Sequence, residues 1–194
     1  MSYGFCDRLV LSEYMNVEKS TYSCYEKNSN HNRRDCYVTK YDYNDDEGKN
    51  FVMKVRDIAI LFSEEGIGPP VFEIKNKMSS IEIHSKRLEV LYPSEMNECF
   101  ENMEIETIIR EIRNIIRKMH NLGYAHGDLH MSNIGYDIER NKFYLLDYDT
   151  VFNIENDKDE EWLKDWMENF PWDESYESFV QYDYTNWISD WISE

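Results

Sequence analysis

The stretch from Ile105 to Asp147 constrains this chain more than any other part of it. Ile105, Ile108, Ile109, Ile112, Ile115, Ile116 and Met119 recur at the helical period of about 3.6 residues, which predicts a long helix with one buried face. Gly123 closes that helix, and the polar run His126-Gly127-Asp128-Leu129-His130-Met131-Ser132-Asn133 follows at once. Beyond it a second apolar run, Phe143-Tyr144-Leu145-Leu146, ends at Asp147. Two short strands flanking polar loops are expected here, each loop ending in oxygen-bearing side chains.

Those side chains suit one kind of chemistry. Phosphoryl transfer asks a protein for positioning and charge neutralisation more than for covalent help. Asp128 can accept or orient the proton of an attacking hydroxyl. Asn133, five residues on, lets the loop turn back and offers a neutral carbonyl oxygen, and Asp147 supplies a carboxylate; both are hard donors of the sort Mg²⁺ takes.

Upstream, the sequence reads as a small sheet with one helix. Cys36 to Tyr41 is a β-rich run before a polar turn from Asn44 to Asn50, and Phe51-Val52-Met53-Lys54-Val55 reads as the second strand of a hairpin. Ile58, Leu61 and Phe62 predict a short helix from Asp57 to Glu65, stopped by Gly66-Ile67-Gly68-Pro69-Pro70. Val71-Phe72-Glu73-Ile74 and Ile81-Glu82-Ile83-His84 alternate apolar with polar residues, as a half-exposed strand pair does. Downstream, Trp162, Leu163, Trp166, Met167 and Phe170 share a helical face, and so do Trp187, Ile188, Trp191 and Ile192. Short helices with acidic faces in water are expected there.

Charge and composition exclude several function classes. A net charge of -18 repels a phosphate backbone, so nucleic acid is not expected as a partner. No apolar run reaches the ~20 residues needed to cross a bilayer, and the N-terminus lacks a signal-peptide layout, so a cytoplasmic protein without a membrane partner is expected. Cys6, Cys24, Cys36 and Cys99 are scattered with no CxxC pair, which points to reduced thiols and to neither a zinc site nor a disulfide framework.

Taken together, the residues from Ile105 to Val151 resemble the catalytic core of the protein-kinase-like superfamily, whose pattern is an H-x-D-L-x-x-x-N loop followed by a metal-binding Asp of D-F-G type. The resemblance implies a single α+β domain of bilobal, kinase-like fold. Residues 1–87 would form a small antiparallel-sheet N-lobe with one short helix, and 88–194 a truncated, mainly helical C-lobe, with Mg·ATP between them. It further implies Asp128 as the catalytic Asp, Asn133 and Asp147 as metal ligands and His126 as the structural histidine of the loop. Phe51-Val52-Met53-Lys54 looks like the V-A-I-K strand, which makes Lys54 the candidate for the lysine on the α- and β-phosphates. His130 is a candidate γ-phosphate contact, and Asp149 a candidate further metal contact.

The chain also departs from the family pattern. Gly127 stands where regulated protein kinases carry arginine, and the H-G-D-L-H form is similar to aminoglycoside phosphotransferases, choline-kinase-like enzymes and some bacterial-effector protein kinases. Asp147-Tyr148-Asp149 replaces D-F-G. The nearest candidate for the phosphate-covering turn, Glu18 to Ser23, contains no glycine. The activity implied is ATP- and Mg-dependent transfer to a hydroxyl, with a protein Ser/Thr acceptor favoured because little sequence is left over for a small-molecule pocket. A small hydroxylated acceptor and a catalytically silent binding module are the alternatives.

Overall fold

The computed structural model describes residues 9–11, 16–27, 33–90, 105–129 and 131–153. They fall in two units, Met1–Leu88 and Glu89–Glu194. The fold is α+β, with antiparallel sheets and few helices.

In the first unit β1 (Leu9–Leu11), β2 (Val17–Lys27), β3 (Arg33–Tyr43), β4 (Val71–Asn76) and β5 (Ser80–Lys86) form one antiparallel sheet in the order β1-β2-β3-β5-β4. The register places Lys40 opposite Glu82, Val38 opposite His84 and Cys24 opposite Cys36. Because successive side chains alternate between faces, these six residues share one face of the sheet. Tyr41, Ile81 and Ile83, all buried, share the other. The strand pair expected at 71–74 and 81–84 is present as β4 and β5.

The hairpin expected between residues 36–41 and 51–55 is not formed. Residues 51–55 lie inside α1 (Asp46–Glu64), so the helix is 19 residues long and starts well before Asp57. The polar run read as a turn is the start of that helix. Asp45 caps it by accepting a 2.7 Å hydrogen bond from the Gly48 amide, and Asp46 and Glu47 place negative charge in the first turn, where the helix dipole favours it. Val52, Val55, Ile58, Ala59 and Phe62 are all buried, and their spacing is helical. Burying each large apolar side chain of this stripe contributes about 1.5–3 kcal/mol, which outweighs the local β preference of Phe51-Val52. The chain leaves α1 through Gly66, whose φ is +65°, as the terminator-rich sequence requires. Lys54 is therefore a helix residue, and the segment Glu18 to Ser23 is the body of β2 rather than a turn.

The cysteine expectation is also corrected. Cys24 and Cys36 are joined as a disulfide, with Cα atoms 5.0 Å apart. A separation of 12 residues shows no motif, yet hairpin register sets the two side by side within disulfide range.

The second unit contains β6 (Glu89–Val90), α2 (Ile105–Asn121), β7 (Tyr124–Ala125), a 3₁₀ turn (Met131–Asn133), β8 (Ile134–Asp137), β9 (Lys142–Leu145) and β10 (Phe152–Asn153). The long isoleucine helix is present as expected, with Ile108, Ile112, Ile116 and Met119 fully buried. Strands β6, β8 and β9 form one small sheet, and β10 pairs with β7. Gly123, at φ +81°, donates to the His120 carbonyl and turns the chain off α2 into β7. The helices expected around Trp162 to Phe170 and Trp187 to Ile192 lie outside the described residues. No described helix is long and apolar enough to cross a membrane.

Candidate active site

The second unit builds its candidate site from the loop between β7 and β8 and the loop between β9 and β10. The two loops are tied together by backbone and side-chain bonds, and Leu129 and Ile134 anchor the first of them in the core. His126 is fully buried, and its Nε2 lies 2.8 Å from the Leu146 carbonyl oxygen. A carbonyl only accepts, so Nε2 carries the proton, and the imidazole pins the first loop to the residue just before Asp147. The Leu146 amide in turn donates to the Asn133 carbonyl at 2.8 Å.

Asn133 closes the first loop on itself. Its Nδ2 donates to the Asp128 carbonyl at 2.8 Å, so the donor end of the amide is turned to the loop and Oδ1 is the end a hard cation would take. Asp128, by contrast, is exposed at the tip. Asp147 has φ +56°, a left-handed conformation that an aspartate adopts at a cost of about 1–3 kcal/mol and that clusters at functional sites. The network thus brings together the backbones that carry Asp128, Asn133 and Asp147, the first two through a direct bond and the third through Leu146.

Two further residues in the second loop support this arrangement. Thr150 Oγ1 donates to the His126 carbonyl at 2.9 Å. Gly127 has φ +78°, and a Cβ added there would sit 2.7 Å from the Thr150 carbonyl oxygen. Glycine is therefore a packing requirement at this position. Tyr148 donates its hydroxyl to the Leu145 carbonyl at 2.8 Å. Burial, with the Asp147 charge adding to it, pushes the Tyr148 phenol pKa well above its ordinary value, so it remains a neutral donor. Asp149 sits in the turn closed by the Val151 amide on the Tyr148 carbonyl. His130 lies outside the described residues.

In the first unit, the lysine that fits a strand-then-helix order is Lys40 on β3, directly before α1. Lys54 does not fit it, because it lies on the helix itself. Lys40 Nζ donates to Asp42 Oδ2 at 2.7 Å, and this bond, with the Asp42 and Glu82 charges adding to it, raises its pKa. Glu82 is buried and pairs with Lys77, which holds its carboxyl below the ordinary range. The signal for Lys40 was present in the sequence as Tyr37-Val38-Thr39-Lys40 followed by a capped acidic helix start. Gly127 stood out in the sequence as part of the H-G-D-L-H form, but its contact with Thr150 had no sequence signal, because it joins residues on different loops.

Comparison with known proteins bears on the same segment. Residues 83–170, which span both loops, match the model of the lipopolysaccharide kinase (Kdo/WaaP) family. A segment of 42 residues is 55% identical to the B1 kinase of vaccinia virus (strain Western Reserve) and to the B1 kinase of monkeypox virus. That segment covers 21% of this chain and 14% of the length of those relatives. These are similarities to kinases, and they support a protein-kinase-like superfamily for this chain.

Proposed function

We propose that this chain is an ATP-dependent phosphotransferase that moves the γ-phosphoryl group to a hydroxyl, with a protein Ser/Thr side chain as acceptor and Mg²⁺ as the metal. The observation that supports it best is the hydrogen-bonded network in which Asn133 closes the first loop onto Asp128 and ties it to the second loop through Leu146, beside a left-handed Asp147. Mg²⁺ bound with ATP would supply electrostatic neutralisation of the phosphates. The donors fit it: the Asn133 amide oxygen and the Asp147 carboxylate are hard ligands, and Asp149 adds a third oxygen group two residues on.

The remaining roles belong to the protein. Asp128, exposed on a loop braced from below by His126 and Asn133, orients the acceptor hydroxyl and takes its proton. His130 is proposed as a γ-phosphate contact in the same loop. Lys40, replacing Lys54 in this role, is the proposed phosphate lysine, because it is the one on the strand before the helix. A cytoplasmic location is part of the proposal.

Charge adds support to the acceptor class. At -18, the chain attracts basic polypeptide segments and repels anionic acceptors. The match to the lipopolysaccharide kinase family favours a second reading, in which the acceptor is a small hydroxylated molecule. Incubation with γ-labelled ATP and Mg²⁺, followed by separate counting of protein and metabolite fractions, distinguishes the readings. Label on basic protein supports the first and label confined to metabolites the second. Absence of any transfer by folded protein across both fractions refutes phosphotransferase activity and leaves a silent binding module.

A further inference from the structure

Among the described residues, the loops of the candidate active site leave one cluster of Cys and His side chains outside their chemistry. Three adjacent strands of the first sheet contribute Cys24 from β2, Cys36 from β3 and His84 from β5, all on the face that also carries Lys40 and Glu82. One ligand atom from each of these three residues lies within 4.8 Å of the other two. Cys36 and His84 are buried, with exposures of 0% and 5%. The register fixes this cluster, since Cys24 is the direct partner of Cys36, and His84 is the partner of Val38, the next residue along on the same face.

We propose that, with its thiols reduced, the chain binds one thiophilic divalent cation of the zinc class through Cys24 Sγ, Cys36 Sγ and a ring nitrogen of His84. Ligand atoms around a tetrahedral zinc lie about 3.5–3.8 Å apart; the two sulfurs, bonded to each other in the disulfide, part to that separation on reduction, and the His84 ring nitrogen, within 4.8 Å of both, reaches it by side-chain rotation. Two thiolates balance the charge of the ion, the neutral imidazole is the third donor, and the fourth position falls to solvent. Glu82 supports the assignment. Its Oε2 is 3.6 Å from His84 Nε2, and a carboxylate beside an imidazole is the usual means of orienting a metal-ligating histidine. The disulfide and the metal site are mutually exclusive uses of the same two sulfurs. In a reducing compartment the thiol form prevails, and the metal then ties β2, β3 and β5 together across the sheet.

Metal binding at this site is read directly, so its test needs no substrate. The full chain, reduced with a phosphine and freed of metal, is titrated with Co²⁺. The expected result is one Co²⁺ per chain with thiolate-to-cobalt charge-transfer absorption, displaced by Zn²⁺. That absorption should be lost in Cys24→Ser and in Cys36→Ser, and Co²⁺ affinity should fall at least about tenfold in His84→Asn. A wild-type measurement covers the case in which a variant fails to fold: Zn²⁺ should protect Cys24 and Cys36, and not Cys6 or Cys99, from alkylation read by mass spectrometry. The proposal is overturned if reduced, folded protein gives no thiolate band, if the band survives both serine variants, if protection falls on other cysteines, or if the Cys24–Cys36 bond resists reduction while the fold persists.

Discussion

Replacing Gly127 by alanine isolates the packing on which the catalytic loop depends. The backbone there has φ +78°, and holding an L-residue in that region costs about 1–2 kcal/mol. The new Cβ would lie 2.7 Å from the Thr150 carbonyl oxygen, closer than real Cβ contacts come, and the obstacle is backbone rather than a flexible side-chain tip. Forcing an atom into such a space costs a further ~1–3 kcal/mol, part of it through the Thr150–His126 hydrogen bond that the shift would stretch. The expected destabilisation is therefore about 2–5 kcal/mol. Gly123→Ala is the control. Its φ of +81° carries the same conformational cost, but the nearest atom to its Cβ is Asn153 Nδ2 at an ordinary 3.7 Å, so only about 1–2 kcal/mol is expected. Urea unfolding of the three proteins, with matched phosphoryl-transfer assays, gives the comparison. Equal destabilisation by the two substitutions, or a Gly127→Ala protein with wild-type stability and turnover, would refute the packing argument.

The other expectations follow from the same geometry. Asp128→Asn should lower turnover by about 10²–10⁴-fold with nucleotide affinity retained, whereas Asp147→Asn should weaken both, as read by steady-state kinetics and by calorimetry with Mg·ATP. Lys40→Met should reduce nucleotide affinity and turnover while Lys54→Met leaves both within about twofold; the opposite pattern would return the phosphate role to the helix lysine. For Glu82, whose folded pKa lies below the ordinary 4.5 chiefly because Lys77 donates to it, the stabilisation is complete above pH 4.5 and is lost as pH falls through the lowered folded value. The difference in unfolding free energy between wild type and Glu82→Gln should accordingly be greatest near neutral pH and close in acid. A pH-independent difference would show that the ionised carboxylate is not what stabilises the sheet.

How much could be read from the sequence differs sharply between the two units. Around Asp128 the information is local: a long periodic helix, a glycine stop, a loop of fixed length and a strand ending in a carboxylate follow one another within about forty residues, and the structure keeps that order. In the first unit the local signals competed. Phe51-Val52-Met53 carries β propensity, and the decision for helix came from a buried stripe reaching from Val52 to Phe62 together with the Asp45 cap. Reading that stripe as one period, and not as a strand followed by a short helix, would have moved the candidate lysine from Lys54 to Lys40.

The amino-acid order alone therefore determined the chemistry on offer, an aspartate and an amide on one loop and a second aspartate on the next, and the helix that supports the first of these loops. Tertiary structure decided the rest. It selected glycine at position 127 through the Thr150 backbone, tied the Asn133 carbonyl to the Leu146 amide, and set Cys24, Cys36 and His84 side by side. Each of these depends on contacts between segments remote in sequence. Periodicity and propensity describe only a residue's near neighbours along the chain, and register between strands exists only once the sheet has formed.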